Sequence, residues 1–363
     1  MAARESAAVA SAIRRASTQA IRPSCPPCNN SPEPEPPGSE RDAECREPVF
    51  TAQPRGDLPM YTVTEEKAMA DETKDPKNDE SMNDLARRDF VALSVASLAA
   101  AGSASAAGLK LVETDVQIKT PDGTCDAAFI HPASGSHPGV LIWTDAFGLR
   151  PSMREIGKRI AAQGYSVLVP NPFYRIGKAP MFEDASKVDF AKERDKINPL
   201  MASVNAAGAA EKDAVAYIAF LDAQKQVNKS KKIGTQGYCM GGALVVRTAA
   251  TVPDRVGAGA SFHGGGLVTD KPDSPHLLAA KIKAKMYFGI ATNDDTRQPD
   301  AKVKLKEAFE AAHKPAEIEV YKESQHGWCV PDMPAQNGMP IYNKPDAERA
   351  WGKLETLYKT ALA

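Results

Sequence analysis

Three short stretches hold residues whose types and order could perform acyl chemistry: Cys239 within GYCMGG, Asp294 within ATNDD, and His326 within QHGW. A cysteine set among glycines, after an apolar run and before a helix-like one, occupies a sharp turn. Small neighbours such as Gly237, Gly241 and Gly242 relieve the crowding there. Each member has a chemical rationale. A thiolate attacks a carbonyl, and the positive end of a helix beginning near Met240 favours negative charge on that sulfur. An imidazole can take the thiol proton and return it to a leaving group, and a carboxylate holds the imidazole in the working tautomer. Singly, each residue has an ordinary structural explanation. Their shared position after strand-like runs is what points to catalysis.

Those runs define the elements that must position them. KKIGTQGY precedes Cys239, KMYFGIATN precedes Asp294, and IEVYKESQ precedes His326. VLIWTDAFG, YSVLVPNPF and VGAGASFHGG are similar apolar runs ending in Gly, Pro, Asn or Asp. LVETDVQIKT and TCDAAFIHP read as an antiparallel opening pair. Helical patterns lie between: MREIGKRIAAQG, AEKDAVAYIAFLDAQ, GGALVVRTAAT, AKVKLKEAFEAAHK and AERAWGKLETLYKTALA. Alternating strands and helices predict an α/β fold, with a mostly parallel central sheet and helices on both faces. Ligands of such sheets bind beyond the carboxyl ends of the strands. The order nucleophile, acid, base is that of the α/β-hydrolase fold.

Composition narrows the function further. The chain has 363 residues and a formal net charge of −1, and its scattered basic residues are balanced by acids, which speaks against nucleic acid as a partner. The six histidines are dispersed without H-E-x-x-H spacing or paired CxxC motifs, so neither a metal nor another cofactor is expected. Residues 1–81 are rich in Pro, Ser, Glu and Asp and read as a disordered extension. The Cys25–Cys28 pair within them lacks any redox or zinc context. Residues 82–106 run from Arg87-Arg88 through an apolar stretch to Ala104-Ser105-Ala106. That order is similar to a twin-arginine export signal with an A-x-A cleavage site, and the stretch is too short and alanine-rich for a stable membrane span. The folded domain is expected over 107–363, acting as a monomer, in the periplasm or outside the cell if translation starts near Met82 and in the cytoplasm otherwise. Only Cys125, Cys239 and Cys329 fall within it. An odd count leaves at least one free thiol in an exported domain.

GYCMGG, ATNDD and QHGW, with TDAFGL earlier, resemble the dienelactone hydrolases (carboxymethylenebutenolidases) over residues from about 110 to 363. The G-x-C-x-G-G elbow carries the resemblance, since most α/β-hydrolases have serine there. The resemblance implies an enzyme hydrolysing a small ester or lactone, with Cys239 as nucleophile, Asp294 rather than Asp295 as orienting acid, and His326 as base. It places Asp145 where the family has a glutamate beside the resting thiol. The backbone N–H groups of Ala146 and Met240 would form the oxyanion hole. It also implies Arg175 as a grip on a substrate carboxylate, while Val330 stands where a second family arginine would be. Trp328 and Trp143 are candidates for apolar pocket lining, with simple core packing as the equal alternative. The His263-Gly264-Gly265-Gly266 run spells an esterase oxyanion motif, but it follows the nucleophile and reads as a tight turn at a strand end. Two other classes compete with a hydrolase: a thiol redox protein pairing Cys239 with Cys329, and a catalytically silent binding protein on the same fold.

A chain starting at Met82 should be exported and trimmed after Ala106, and removing residues 1–106 should leave turnover intact. N-terminal sequencing of the protein from its native cell checks this; a mature chain starting near Met1, or one that stays uncut at Met82, would contradict it.

Overall fold

The computed structural model describes residues 109–362; the expected extension 1–81, its Cys25–Cys28 pair and the export-like segment 82–106 lie outside the described residues. Leu111–Thr120 (β1) and Gly123–Pro132 (β2) form the antiparallel opening pair, in register from Thr120 opposite Gly123 to Leu111 opposite Pro132. The central strands Gly139–Trp143 (β3), Ser166–Pro170 (β4) and Ile233–Tyr238 (β5) are buried at every position. A strand covered on both faces tolerates only apolar or small residues throughout, so these segments read as continuous runs without alternation. With Val256–Phe262 (β6), Lys285–Ala291 (β7) and Ala316–Tyr321 (β8), the described residues form an eight-stranded sheet ordered β1-β2-β4-β3-β5-β6-β7-β8. β2 meets β4 antiparallel, and all later pairs are parallel.

Helices cover both faces. Pro151–Ala161 (α1) and Lys344–Ala361 (α7) bring Met153, Ile156, Ile160, Leu354 and Tyr358 against Val140, Ile142, Val167 and Val169. The opposite face is covered by Arg194–Asn205 (α2), Ala209–Ala223 (α3), Met240–Thr251 (α4) and Ala301–Ala311 (α6). These helices pack Leu200, Tyr217, Val245 and Phe309 into a core with Leu141, Trp143 and Leu168. Alternate side chains of β3 therefore belong to different cores, as a period of two requires.

Two helices have no counterpart in the sequence pattern. α2 carries Pro199 in its interior, which removes a ladder donor and weakens the helical signal. Thr292–Arg297 (α5) is only six residues long and has no buried residue. It follows β7 directly, which brings Asp294 onto a helical first turn at the strand end. α7 starts ahead of its apolar pattern because the Asn343 side chain accepts the Asp346 N–H and Pro345 occupies the first turn. Among the described residues, no helix is long and apolar enough to cross a membrane.

Candidate active site

Cys239 forms the corner between β5 and α4, with φ 52° and ψ −115°. A side-chain-bearing residue in that region costs about 1–3 kcal/mol and persists only where its surroundings hold it. The glycines beside it are needed sterically. A Cβ on Gly237 would come within 2.2 Å of the Gly241 carbonyl oxygen, and one on Gly242 within 2.5 Å of the Gly264 Cα. Parallel register sets Trp143 beside Gly237 and Tyr238 beside Phe262, so β3, β5 and β6 end at one level. The corner therefore opens at the carboxyl edge of the sheet, the position from which such folds bind ligands.

His326 is brought to the same edge by the segment after β8. Its Nδ1 lies 2.6 Å from Asp294 Oδ2, and its main-chain N–H donates to Asn293 Oδ1 at 2.8 Å. The remaining Asp294 oxygen accepts from Arg297, whereas Asp295 turns away to pair with Lys302 at 2.7 Å. Asn293 had no assigned role in the sequence, although it lies within the ATNDD run. Burial pulls the His326 imidazolium down, but hydrogen bonds to Asp294 and to Cys239 outweigh it and raise the pKa to about 10. Cys239, His326, Asn293, Arg297, Asp145 and Ala146 line one open cleft of about 1010 Å³. Its apolar wall includes Phe147, Val188, Phe190, Met333 and Ile341, with Lys187 adding a second cation.

Asp145 is fully buried, and both of its oxygens are held by Arg150, at 2.7 and 2.9 Å. Oδ1 also accepts the Phe147 N–H at 2.9 Å. The expected role beside the thiol is thus corrected: the carboxylate is turned to a buried guanidinium and shapes the turn on which Ala146 sits. Arg150 also pairs with Asp332 at 2.7 and 2.8 Å, and Asp332 accepts the Ala185 N–H at 3.3 Å. One buried cation therefore joins the segments after β3, after β4 and after β8, all of which line the cleft. Arg150 and Asp332 were not legible as a pair, because 182 residues separate them.

Two further expectations are corrected. Arg175 does not line the cleft; it makes two bonds of 2.8 Å to buried Asp213 and one of 2.9 Å to Asp122. A buried carboxylate holds a bidentate guanidinium more firmly than a substrate could at an open mouth. Trp328 and Trp143 have no exposed surface. Trp328 stacks on Tyr321 at 4.7 Å, and Trp143 donates to Thr248 Oγ1 at 2.9 Å, so both are core residues instead of pocket lining. The apolar lining comes instead from loop residues such as Phe190, whose local sequence has no strand or helix periodicity.

The three thiols of the described residues differ sharply in setting. Cys125 is buried beneath Tyr217 and Asn171, and burial pushes its thiol up to about 12. Cys329 lines a separate cavity of about 250 Å³ between α1 and α7, and burial raises its thiol well above the ordinary value. It packs with the core on that face, whereas Cys239 packs with the core on the other. Among the described residues, no three His, Cys, Asp or Glu side chains converge as a metal site.

The strand order and the corner at Cys239 define an α/β-hydrolase fold. The dienelactone hydrolase family profile matches residues 125–362, and the chain belongs to that family, as a hydrolase of ester or lactone bonds. It is 26% identical over 282 residues to a protein of Methylorubrum extorquens named "Putative carboxymethylenebutenolidase", covering 74% of this chain and 88% of that one. Identity to the carboxymethylenebutenolidase of Rhodococcus opacus is also 26%, over 59% of this chain and 79% of that protein. A dienelactone hydrolase-like promiscuous phosphotriesterase from metagenomic libraries shares the fold, with a TM-score of 0.58, 21% identity, and coverage of 70% of this chain and 99% of that one.

Replacing Arg150 with Met should leave Asp145 buried and unpaired and cost about 3–5 kcal/mol, measurable as a lowered urea midpoint. The His326 imidazolium should remain protonated through neutrality and titrate near pH 10 by NMR. Because its folded pKa lies above the ordinary value, the stability it contributes is full below about pH 6.5 and fades as pH rises through the folded pKa. Asp294→Asn removes a raising interaction, so the titration should move to lower pH.

Proposed function

We propose that the chain hydrolyses esters or lactones through Cys239, His326 and Asp294, by way of an acyl-enzyme. The observation that carries this reading is the 2.6 Å contact from His326 Nδ1 to Asp294, in the cleft that Cys239 and His326 line together. The raised His326 pKa favours an imidazolium in the cleft that Cys239 also lines, and the thiolate is the form of a cysteine that attacks a carbonyl. The sulfur attacks the carbonyl carbon, and negative charge builds on the carbonyl oxygen. The N–H groups of Met240, at the start of α4, and of Ala146 would receive that charge; the support for this is that neither donates to a main-chain carbonyl in the surrounding turns. Each such donor contributes on the order of 10²–10³ in rate. His326 then passes its proton to the departing alkoxide or enolate, and later takes one from the water that cleaves the thioester. Asp294 holds the ring orientation through both steps.

The cleft favours substrates with an apolar or aromatic portion against Phe147, Phe190 and Met333. Arg297 and Lys187 are the cations that line the cleft. The buried Asp213 removes Arg175 from that role.

Turnover of an aryl ester, with iodoacetamide labelling as the second readout, tests the assignment. Cys239 should react first and activity should fall in step, because desolvation holds Cys125 and Cys329 in their thiol forms. Cys239→Ser should lose most activity. Asp294→Asn should lower kcat on the order of 10³–10⁴-fold with the fold intact, and Asp295→Asn should be mild. Labelling of Cys125 or Cys329 with activity retained would refute the nucleophile.

A further inference from the structure

The glycine-rich turn after β6 makes contacts that the reaction scheme above leaves unexplained. His263, its first residue, is fully buried at the strand end, and its Nδ1 accepts the main-chain N–H of Cys239 at 3.1 Å. Two residues on, the Gly265 N–H donates to the Cys239 carbonyl at 3.1 Å. One turn thus grips the corner residue by both main-chain groups. The corner has other main-chain partners, Phe262 O for its N–H and the Gly242 N–H for its carbonyl, each at 3.1 Å. His263 itself has φ 40°, so two side-chain-bearing residues in the left-handed region sit next to each other at the ends of neighbouring strands.

The chemistry of the ring narrows the reason. Accepting at Nδ1 leaves the proton of a neutral imidazole on Nε2. Nε2 is buried and finds no hydrogen-bond partner around it. An orphaned buried donor of this kind costs about 1–3 kcal/mol, and an apolar side chain would avoid that. The ring stands edge-on to His326, with centroids 4.8 Å apart, and to Trp328 at 5.2 Å. Burial, together with the neighbouring His326, holds His263 neutral. A carboxylate here would compete with Asp294 for the imidazolium, and a cation would repel it. Only a neutral acceptor can hold the Cys239 N–H at this point without disturbing the charge pattern next to it.

We propose that His263 is a positioning residue for the nucleophile: through Nδ1, and with the Gly265 N–H on the other side, it fixes the strained corner that aims the Cys239 sulfur at His326. The proposal rests on Cys239 being the nucleophile. Displacing a reacting atom by about 1 Å can cost around 10²-fold in rate without altering substrate binding.

The test compares His263→Leu, His263→Gln and His263→Asn in the full chain, using an aryl ester and iodoacetamide. The Asn carbonyl oxygen can occupy the place of Nδ1, the longer Gln places its oxygen nearer the position of Nε2, and Leu offers no acceptor. Leu and Gln should lower kcat about 10–100-fold with KM within about twofold, and slow labelling of Cys239 in proportion. Asn should restore most of both. Equal losses in Asn and Gln, or a folded Leu variant with unchanged kcat, would overturn the proposal. Should the Leu variant fail to fold, the Asn–Gln pair carries the comparison. Cys239→Ala, measured alongside, separates the two ideas: full activity there removes the nucleophile itself, whereas an inactive Ala variant beside a fully active Gln variant removes only the role of His263.

Discussion

The left-handed main chain at Cys239 is the constraint to which much of the molecule answers. A strand can turn into a helix within one residue only if that residue accepts an unfavourable backbone conformation and its neighbours approach very closely. Both conditions are met with small residues on three sides: Gly237 before the corner, Gly242 after it, and Gly264 on the adjacent turn. The strain is opposed by hydrogen bonds from β6 and from the turn beyond it. The central strands supply rigidity, being buried on both faces and paired on both sides. The result is a cysteine held at the carboxyl edge of the sheet, directly ahead of the first turn of α4.

A second constraint organises the cleft walls. Arg150 is fully buried, and such a charge is tolerated only with complete pairing. Asp145 and Asp332 supply it, and each is attached to a different loop. The loops are thereby tied to one another through a point charge inside the protein instead of through surface contacts. This accounts for an acidic residue near the nucleophile that does not act upon it. Arg175 follows the same logic, since the buried Asp213 claims it. In both cases a side chain that the family resemblance placed in the substrate cleft is engaged by a buried partner of opposite charge.

The electrostatics of the three thiols complement this. Desolvation favours the thiol form in two, Cys125 and Cys329, one on each side of the sheet. The third faces the cleft beside a histidine whose protonated form is favoured. The distribution fits a hydrolytic nucleophile better than a redox couple, because Cys239 and Cys329 pack into cores on opposite faces and line separate cavities.

The sequence by itself determined the strand–helix alternation, the parallel sheet, and the strand-end location of Cys239, Asp294 and His326. Those features are written in local patterns: continuous apolar runs, glycines about a turn, and residues that follow a strand directly. The choice between Asp294 and Asp295 came from the family resemblance, and the geometry puts Asp294 on the imidazole and Asp295 on Lys302. Tertiary structure alone decided the partners of Asp145, Arg175 and Trp328, and the setting of His263. Each of these depends on a contact between segments far apart in the chain, such as Arg150 with Asp332 or Arg175 with Asp213. A charged residue's type shows that it needs a partner or water, but its position in the sequence does not show which. That is settled only when folding removes the water and leaves one partner within reach.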